Sequence, residues 1–287
     1  MKYAWIEQNR DHYPVTRLCR LLSVSRSGYC QWRMRGPSVR SQQNTLLDSK
    51  IKAIHHQSKG SYGRPRIVQV LRQQGLRVGS ERVRRSLLRQ GLKPVYRRPY
   101  LITTDSDHTL PVAQNLLQRR FDGWQPNQAW VADITYVRTD QGWLYLAAVL
   151  DLATRRIVGW SMSDRIDATL VCQALKSAYW QRKPSPGLIL HTDRGSQYAS
   201  HLHQQLVQQY GLVMSMSRKA NAWDNAPMES FFKTLKVERL YQVRYHDRQQ
   251  ARLDIVDWIE GFYNRQRIHS SNGFLTPVAA EQLLVAA

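Results

Sequence analysis

Apolar residues recur at helical spacing in the first third of the chain, whereas from about residue 125 they alternate as in strands. The segment at 15–35, VTRLCRLLSVSRSGYCQWRMR, predicts two short helices joined by a turn at SVS. Residues 45–93 predict three further helices separated by KGSYGRP and by the glycine after IVQVLRQQ. The pattern therefore predicts a helical N-terminal part followed by an α/β part.

The last of these helices, SERVRRSLLRQG, carries both an apolar stripe and a basic face. Ser80 is the predicted N-cap, and Val83, Leu87 and Leu88 are predicted to form the buried stripe. Its arginines could enter a major groove as in a helix-turn-helix protein, or could form a solvated face on a small bundle.

The second part predicts a ribonuclease-H-like α/β fold with a mixed sheet. Three strands with short connections are followed by a helix that begins after Asp167, and strands and helices then alternate. The predicted order βββαβαβα comes from the segments WVADITYVRT, WLYLAAVLDLAT, RRIVGWSMS, DATLVCQALKSAYWQR, GLILHTD, SHLHQQLVQQYG, LVMSMSR and APMESFFKTLKVERLY.

Charge separates the same two parts. The formal net charge is +21, and residues 1–100 contain 22 Lys and Arg against 4 Asp and Glu. Such an asymmetric basic region favours a nucleic-acid partner, although a solvated surface or an anionic membrane surface would also suit it. The chain contains no apolar run of membrane-spanning length and no apolar signal core, so we expect a cytoplasmic protein.

These patterns predict five regions along the chain. They are a small helix-turn-helix segment, a basic helix-turn-helix DNA-binding domain, a linker, a ribonuclease-H-like catalytic core and a C-terminal helical extension of that core, at 1–40, 41–98, 99–122, 123–241 and 242–287.

Three acids are the candidate chemistry. Asp133 lies within the apolar strand WVADITYV, where an unpaired charge is costly, and Asp193 follows the buried strand GLIL. Glu229 lies on a helix, with 35 residues between it and Asp193, and Lys233 and Lys236 lie on the same face. Each acid also has an ordinary explanation: an edge-strand surface acid, a turn cap, and a Glu–Lys helix pair, respectively. Together, converging carboxylates would repel by about 4 kcal/mol per pair at 4 Å unless a divalent metal neutralised them.

Asp224 and Asn225 immediately precede the Glu229 helix. They are predicted either to cap that helix or to lie behind the catalytic acids and help to bind the scissile strand. Phe231, Phe232 and Leu235 would form the opposite, buried face of the helix.

The motifs WVADITYV, HTDRGSQY and DNAPMESFFKTLKVE, followed by YNRQRIHSSNGFLTP, resemble the second-frame protein of the insertion-sequence-three family of bacterial transposases. The segment from SYGRPRI to GLKPVYRRPY resembles that family's extra helix-turn-helix domain. The resemblance covers nearly the whole chain, and it implies a retroviral-integrase-like catalytic core.

The resemblance implies that Asp133, Asp193 and Glu229 are the catalytic, metal-binding acids and that Lys236 is the family's basic residue. The hypothesis is a phosphoryl transfer with two ions per site, Mg²⁺ or alternatively Mn²⁺, in which Asp133 would bridge the ions. Lys233, Lys236 and several arginines are the predicted DNA-binding residues: Arg64, Arg66, Arg82, Arg84, Arg85, Arg89 and Arg194.

The predicted activity is strand cleavage and strand transfer at the ends of an insertion sequence. The predicted partners are double-stranded DNA, further copies of the chain on DNA, and an upstream OrfA protein, either separate or fused by frameshifting. The chain shows no leucine zipper, so by resemblance it would be the downstream product alone. Two other functions remain open: a DNA-binding regulator without catalysis, and a ribonuclease-H-like nuclease or resolvase.

Overall fold

The computed structural model describes residues 1–36, 38–95, 113–218 and 221–286, with the side chain of Ala222 left aside. The helices of these ranges are α1 Lys2–Asn9, α2 Val15–Leu21, α3 Arg26–Met34, α4 Val39–Gln57, α5 Arg64–Gln73, α6 Ser80–Arg89, α7 Ala168–Arg182, α8 His201–Gln209, α9 Ala226–Glu238, α10 Arg248–Val256 and α11 Pro277–Ala286. The strands are β1 Ala129–Thr139, β2 Gly142–Asp151, β3 Ile157–Ser163, β4 Ile189–Thr192 and β5 Val213–Met216.

The five strands form one mixed sheet in the order β3-β2-β1-β4-β5. The β1–β2 and β2–β3 pairs are antiparallel, as expected for strands joined by short connections. The β1–β4 and β4–β5 pairs are parallel, and helices make those crossovers. The predicted order βββαβαβα is confirmed, with Asp167 capping α7 by accepting a hydrogen bond from the Leu170 amide at 3.0 Å.

Alternation along β1 sends its side chains into two different cores. Trp130 and Ala132 pack with α7 and α8, whereas Ala129 and Val131 pack with α9 and α10. Asp133 has the same parity as Val131, so its side chain belongs to the α9 face of the sheet. This alternation is what brings the strand acid and the helix acid to the same side.

The N-terminal helices form two separate apolar clusters. Helices α1 to α3 pack around Ile6, Leu18 and Tyr29. Helices α4 to α6 form another cluster, which also contains the buried Ile268 from the C-terminal segment. The C-terminal segment therefore packs against the basic helices as well as against the sheet domain, an arrangement that the predicted division of the chain did not include.

Two local predictions in α6 are wrong. Gly79, not Ser80, occupies the N-cap position, and Ser80 is the first helical residue. Leu88 is 64% exposed, whereas Val83 and Leu87 are buried. The buried face of this short helix is narrower than its apolar pattern implied, since the helix packs mainly against α4 and α5.

The predicted linker at 99–122 falls largely on residues 99–112, which lie outside the described residues, as do the last three residues of the predicted 41–98 domain. Residues 113–122 contain no helix or strand. At the C-terminus, α10 continues into a π-helical segment, Asp257–Tyr263, and α11 completes the helical region. In the described ranges, no helix is long and apolar enough to cross a membrane.

Candidate active site

Asp133 lies on β1, and Asp193 directly follows the end of the neighbouring strand β4. Strands β1 and β4 are parallel neighbours, and the last aligned pair is Val131 with His191. Asp133 lies two residues after Val131 on β1, and Asp193 lies two residues after His191, just past the end of β4. The pairing register, and not only the strand ends, therefore sets the two carboxylates next to each other.

The electrostatics of Asp133 record this proximity. Burial raises the pKa of the Asp133 carboxyl well above its ordinary value, and the negative charges of Asp193 and Glu229 raise it further. The Ile134 amide, which donates to Asp133 Oδ1 at 2.7 Å, and the charge of Lys236 oppose the shift. Asp133 thus lies within electrostatic range of both other predicted acids.

Asp193 begins the loop after β4 and is held by its own turn. Its Oδ1 accepts a hydrogen bond from the Gly195 amide at 2.9 Å, and its carbonyl accepts one from Thr192 Oγ1 at 2.9 Å. The next residue, Arg194, donates from Nε to the Ser217 carbonyl at 2.6 Å, which ties this loop to the end of β5. The turn-cap role considered for Asp193 is therefore present, and it leaves the carboxylate beside Asp133.

Glu229 lies in the first turn of α9, whose buried face carries the predicted Phe231, Phe232 and Leu235. Burial raises the pKa of Glu229, and the charge of Lys233 one turn later opposes that shift. Burial lowers the pKa of Lys236 below its ordinary value, and the negative charge of Asp133 opposes that shift. Helix α9 therefore carries the partly buried Glu229 together with Lys236, which interacts electrostatically with Asp133.

Asp224 and Asn225 do not cap α9 with their side chains, so that alternative is wrong. Asn225 occupies the N-cap position without a side-chain cap bond, and its Nδ2 donates instead to the Ala132 carbonyl of β1 at 3.2 Å. Asp224 is fully buried and accepts charged hydrogen bonds from Arg119 Nε at 2.9 Å and Arg218 Nε at 2.9 Å. Asn225 thus ties the start of α9 to β1, and Asp224 ties it to the segments that carry Arg119 and Arg218.

His191 is a residue of this edge that the sequence reasoning missed. Its buried ring bridges Ser215 Oγ at 2.8 Å and Ser217 Oγ at 3.1 Å, linking β4 to the end of β5. Burial lowers the pKa of His191 to about 4, so the ring is neutral near pH 7. Its only signal in the sequence was a polar residue within an apolar strand, two positions before Asp193.

The Asp133–Asp193 pair has the chemistry that a hard divalent cation requires. Mg²⁺ typically binds to one or two carboxylates and completes its octahedron with water and substrate phosphate. In residues 1–36, 38–95, 113–218 and 221–286, no three His, Cys, Asp or Glu side chains are grouped closely enough to hold a metal ion. Two neighbouring carboxylates have the ligand chemistry that fits the cation, while a metal site shared by all three acids stays a prediction.

The predicted DNA-binding arginines differ in their surroundings. Those on α6 are exposed and pair with nearby polar groups: Arg84 and Arg85 with Glu81, Arg82 with Asn44, and Arg89 with Asp48. Arg64, at the start of α5, is also exposed.

Arg66 instead lies partly buried, 3.7 Å from Glu238 of α9, and lines a cleft of about 680 Å³ between the basic helices and α9. Its contacts therefore join two parts of the molecule.

Family models match most of this architecture. One described as an integrase core domain matches residues 124–222, and a second integrase core domain model matches residues 210–277. A model described as an HTH-like domain matches residues 41–100. The fold and the acids thus define a protein with an integrase-type, ribonuclease-H-like core joined to an HTH-like region, and the predicted fold class is confirmed.

Similarity to known proteins narrows this class. The chain is 43% identical over 279 residues to the transposase InsF of insertion sequence IS3A from Escherichia coli K12, covering 96% of this chain and 97% of that protein. It is 44% identical over 262 residues to the 31 kDa protein of insertion element IS600 from Shigella sonnei, covering 91% and 96%. The chain belongs to the IS3 family of insertion-sequence transposases, as the resemblance implied, and hence to the polynucleotidyl transferase kind of enzyme. Its HTH-like and integrase core domains imply DNA binding.

Solved structures with similar chains include two retroviral catalytic cores. The BIV integrase catalytic core matches with 17% identity and a TM-score of 0.43, covering 56% of this chain and 97% of that one. The dimeric HTLV-2 integrase catalytic core in complex with magnesium matches with 16% identity and a TM-score of 0.43, covering 56% and 99%.

Proposed function

We propose that this protein cleaves and joins DNA strands at the ends of an insertion sequence, in a reaction that depends on divalent metal. The observation that supports the proposal is the raised pKa of the Asp133 carboxyl, which burial raises most and to which the negative charges of Asp193 and Glu229 add. Carboxylates close to one another repel, and a bound cation would turn that repulsion into attraction.

Asp133 and Asp193 would hold the metal, and Glu229 would complete the site from α9. Bound Mg²⁺, or Mn²⁺ in its place, would supply activation of the attacking oxygen and stabilisation of the leaving oxygen in an in-line phosphoryl transfer, with two ions per site. Lys233 and Lys236 would contact the phosphates of the strand beside Glu229. Asp224 and Asn225 would keep α9 in place against β1 during the reaction.

The remaining predicted cations would bind the duplex away from the acids. Arg194 would lie beside the scissile strand, and Arg64, Arg82, Arg84, Arg85 and Arg89 would contact phosphates or bases through the HTH-like region, assigned to 41–98. Arg66, given its contact with Glu238, would transmit binding to α9 as well. We further propose at least two copies on DNA, an upstream OrfA partner or fusion, and a cytoplasmic location at the bacterial nucleoid.

Strand cleavage by the full chain, alone and fused to its upstream reading frame, tests the proposal on duplexes that carry the element's own terminal sequence. We expect cleavage with Mg²⁺ and none with EDTA. Glu229→Gln should lower the rate at least about a hundredfold, since several kcal/mol of transition-state stabilisation are lost. Asp11→Asn, at an acid whose side chain is 81% exposed, is the matched control.

The outcomes separate the competing functions. DNA binding that is indifferent to Mg²⁺, with no cleavage by either form of the protein, would indicate a regulator. Preferential cleavage of an RNA:DNA hybrid would indicate a ribonuclease H. Normal cutting by Glu229→Gln would contradict the assignment of the acids.

A further inference from the structure

The cleft of about 680 Å³ between the basic helices and α9 has walls on which positive charge predominates. Among the lining residues that the structure describes, four are cations and two are acids: Arg66, Arg155, Lys233 and Arg267 against Asp122 and Glu238. The volume lies in the range of roughly 300–1,000 Å³ that is typical of ligand sites. The charge of the walls therefore favours an anionic ligand.

Three arginines of the cleft are held largely away from bulk water. The side chains of Arg66, Arg155 and Arg267 are only 27%, 14% and 5% exposed. They come from α5, from the loop after β2 and from the C-terminal segment, so the tertiary fold brings them to one cleft. Partly buried guanidinium groups in the same cleft repel one another, and a bound anion would offset that repulsion.

The two acids of the cleft leave part of this charge unmatched. Glu238 pairs with Arg267, which donates to its two oxygens at 2.9 and 2.8 Å. Arg66 Nη1 is 3.7 Å from Glu238 Oε1, which is too far for a hydrogen bond, so that acid uses none of the five N–H donors of Arg66. Arg155 donates to Asp122 Oδ1 at 3.1 Å, but the Asp122 side chain is 93% exposed and its charge is screened by solvent.

His269 lies where the charges of the three guanidinium groups act together. Its side chain is buried, and its Nε2 is 3.4 Å from Arg267 Nη1. The pKa of His269 is lowered to about 2, first by burial and then by the positive charges of Arg267, Arg66 and Arg155. The ring is therefore neutral, and the positive potential around it comes from the arginines.

The cleft runs along the helix that carries Glu229. Its α9 wall extends from Ala226 to Glu238, which at about 1.5 Å per residue is roughly 18 Å. Lys233, one turn after Glu229, lies on this wall. A DNA strand whose reacting phosphate lay at the acids could therefore continue along α9 into the cleft.

We propose that this cleft binds the phosphodiester backbone of one DNA strand next to the reacting phosphate. Arg66 and Lys233 would contact the phosphates, while Arg155 and Arg267 would supply positive charge behind them. The inference rests on the proposed function, because the acids determine where the reacting phosphate lies. Arginine presents its donors in a planar fork that matches two phosphate oxygens, and Glu238 leaves that fork of Arg66 available.

The test measures binding of a short, fluorescently labelled single-stranded oligonucleotide to the full-length protein by anisotropy, in EDTA, so that no strand is cut. Arg66→Gln should weaken binding about tenfold, since a hydrogen bond between charged groups is lost, and should lower the slope of log K against log salt by about 0.7. Ser271→Glu, at an exposed serine of the cleft, leaves every arginine in place. It should weaken binding about fivefold, because it places a negative charge beside the phosphate. Melting temperatures without DNA verify that both variants are folded.

Ser185→Glu is the matched control, because Ser185 is an exposed serine in the loop before β4, at the opposite end of that strand from Asp193. It should bind the oligonucleotide as the wild type does. Wild-type binding by Arg66→Gln or by Ser271→Glu, or an equal loss in Ser185→Glu, would overturn the inference.

A calorimetric titration with inorganic phosphate distinguishes a DNA strand from a free anion. Phosphate binding that disappears in Arg66→Gln while oligonucleotide binding is unchanged would indicate a site for free phosphate and would also overturn the inference. Metal-dependent cleavage is measured separately. Its absence contradicts the proposed function, whereas the results with the uncut strand contradict only the role of the cleft.

Discussion

Glu238, the last residue of α9, forms a bidentate ion pair with Arg267 of the C-terminal segment. Arg267 Nε donates to Oε2 at 2.9 Å and Nη2 donates to Oε1 at 2.8 Å. The side chains are only 10% and 5% exposed, and Arg66 of α5 approaches the same carboxylate at 3.7 Å. One acid therefore joins the helix that carries Glu229, the C-terminal segment and the HTH-like region.

Replacing Glu238 with Gln should destabilise the protein strongly. The change leaves the buried Arg267 charge without its counter-ion, and breaking a buried pair in this way typically costs about 3–5 kcal/mol. Urea unfolding would measure the loss. Asp140→Asn is the control, since the Asp140–Arg244 pair is exposed and screened by solvent and should contribute little to stability. Equal effects of the two substitutions would contradict this explanation.

Asp133→Asn should make stability less dependent on pH. The folded-state pKa of Asp133 is raised, so the wild type binds more protons folded than unfolded, and its stability falls as pH rises from about 4 to that raised pKa. Above this window the variant should melt at a higher temperature than the wild type, although cleavage is lost. Thermal melts of both proteins from pH 4 to pH 8 in EDTA would measure this difference in melting temperature. An Asp133→Asn variant that melts at a lower temperature than the wild type at pH 8 would contradict the prediction.

Gly159→Ala should disturb the packing of α7 against the sheet and lower the stability of the protein. A Cβ built on Gly159 would lie 2.5 Å from the Ala178 amide nitrogen and 2.6 Å from the Ala174 carbonyl oxygen, both of them backbone atoms that cannot rotate away. Overpacking of this kind costs about 1–3 kcal/mol. At Gly36, where an added Cβ meets nothing within 4 Å, the same change should stay within about 0.5 kcal/mol. Thermal or urea unfolding of both variants measures the contrast.

Arg85→Ala should weaken DNA binding without altering the sequence preference, if this arginine contacts a phosphate. Its side chain is 65% exposed on α6. Losing one phosphate contact lowers the slope of log K against log salt by about 0.9. Binding of terminal and unrelated duplexes at several salt concentrations would measure this, with Arg244→Ala, on a 79% exposed side chain of the sheet domain, as the control. An unchanged salt slope would remove Arg85 from the interface.

The order of elements could be read from the sequence, and candidate acids could be selected from it, because the causes of both patterns are local. Alternation in WVADITYV reports which residues of β1 share a face, and helical spacing places Phe231 and Phe232 opposite Glu229. The cost of an aspartate in a buried strand makes Asp133 conspicuous without any knowledge of its neighbours. These inferences need only periodicity and the chemistry of single residues.

Predictions about side-chain partners succeeded less often. Asp224 could have been a helix cap, and only the fold shows it buried between Arg119 and Arg218. Ser80 has the chemistry of an N-cap, yet the helix begins at that residue. Hydrogen bonds between residues far apart in the chain have no signature in its local pattern, because any of several polar side chains could supply them.

By itself, the sequence determined the mixed α/β core and the basic helical region before it, and it singled out three candidate acids, since hydrophobic periodicity, charge and motif spacing are properties of neighbouring residues. Only the tertiary structure decided which groups surround those acids. The parallel register of β1 and β4 places Asp133 beside Asp193, and the hydrogen bond from Asn225 to the Ala132 carbonyl ties the Glu229 helix to β1. The physical reason is that burial and electrostatic interaction depend on distance in space, which the linear order of residues does not specify.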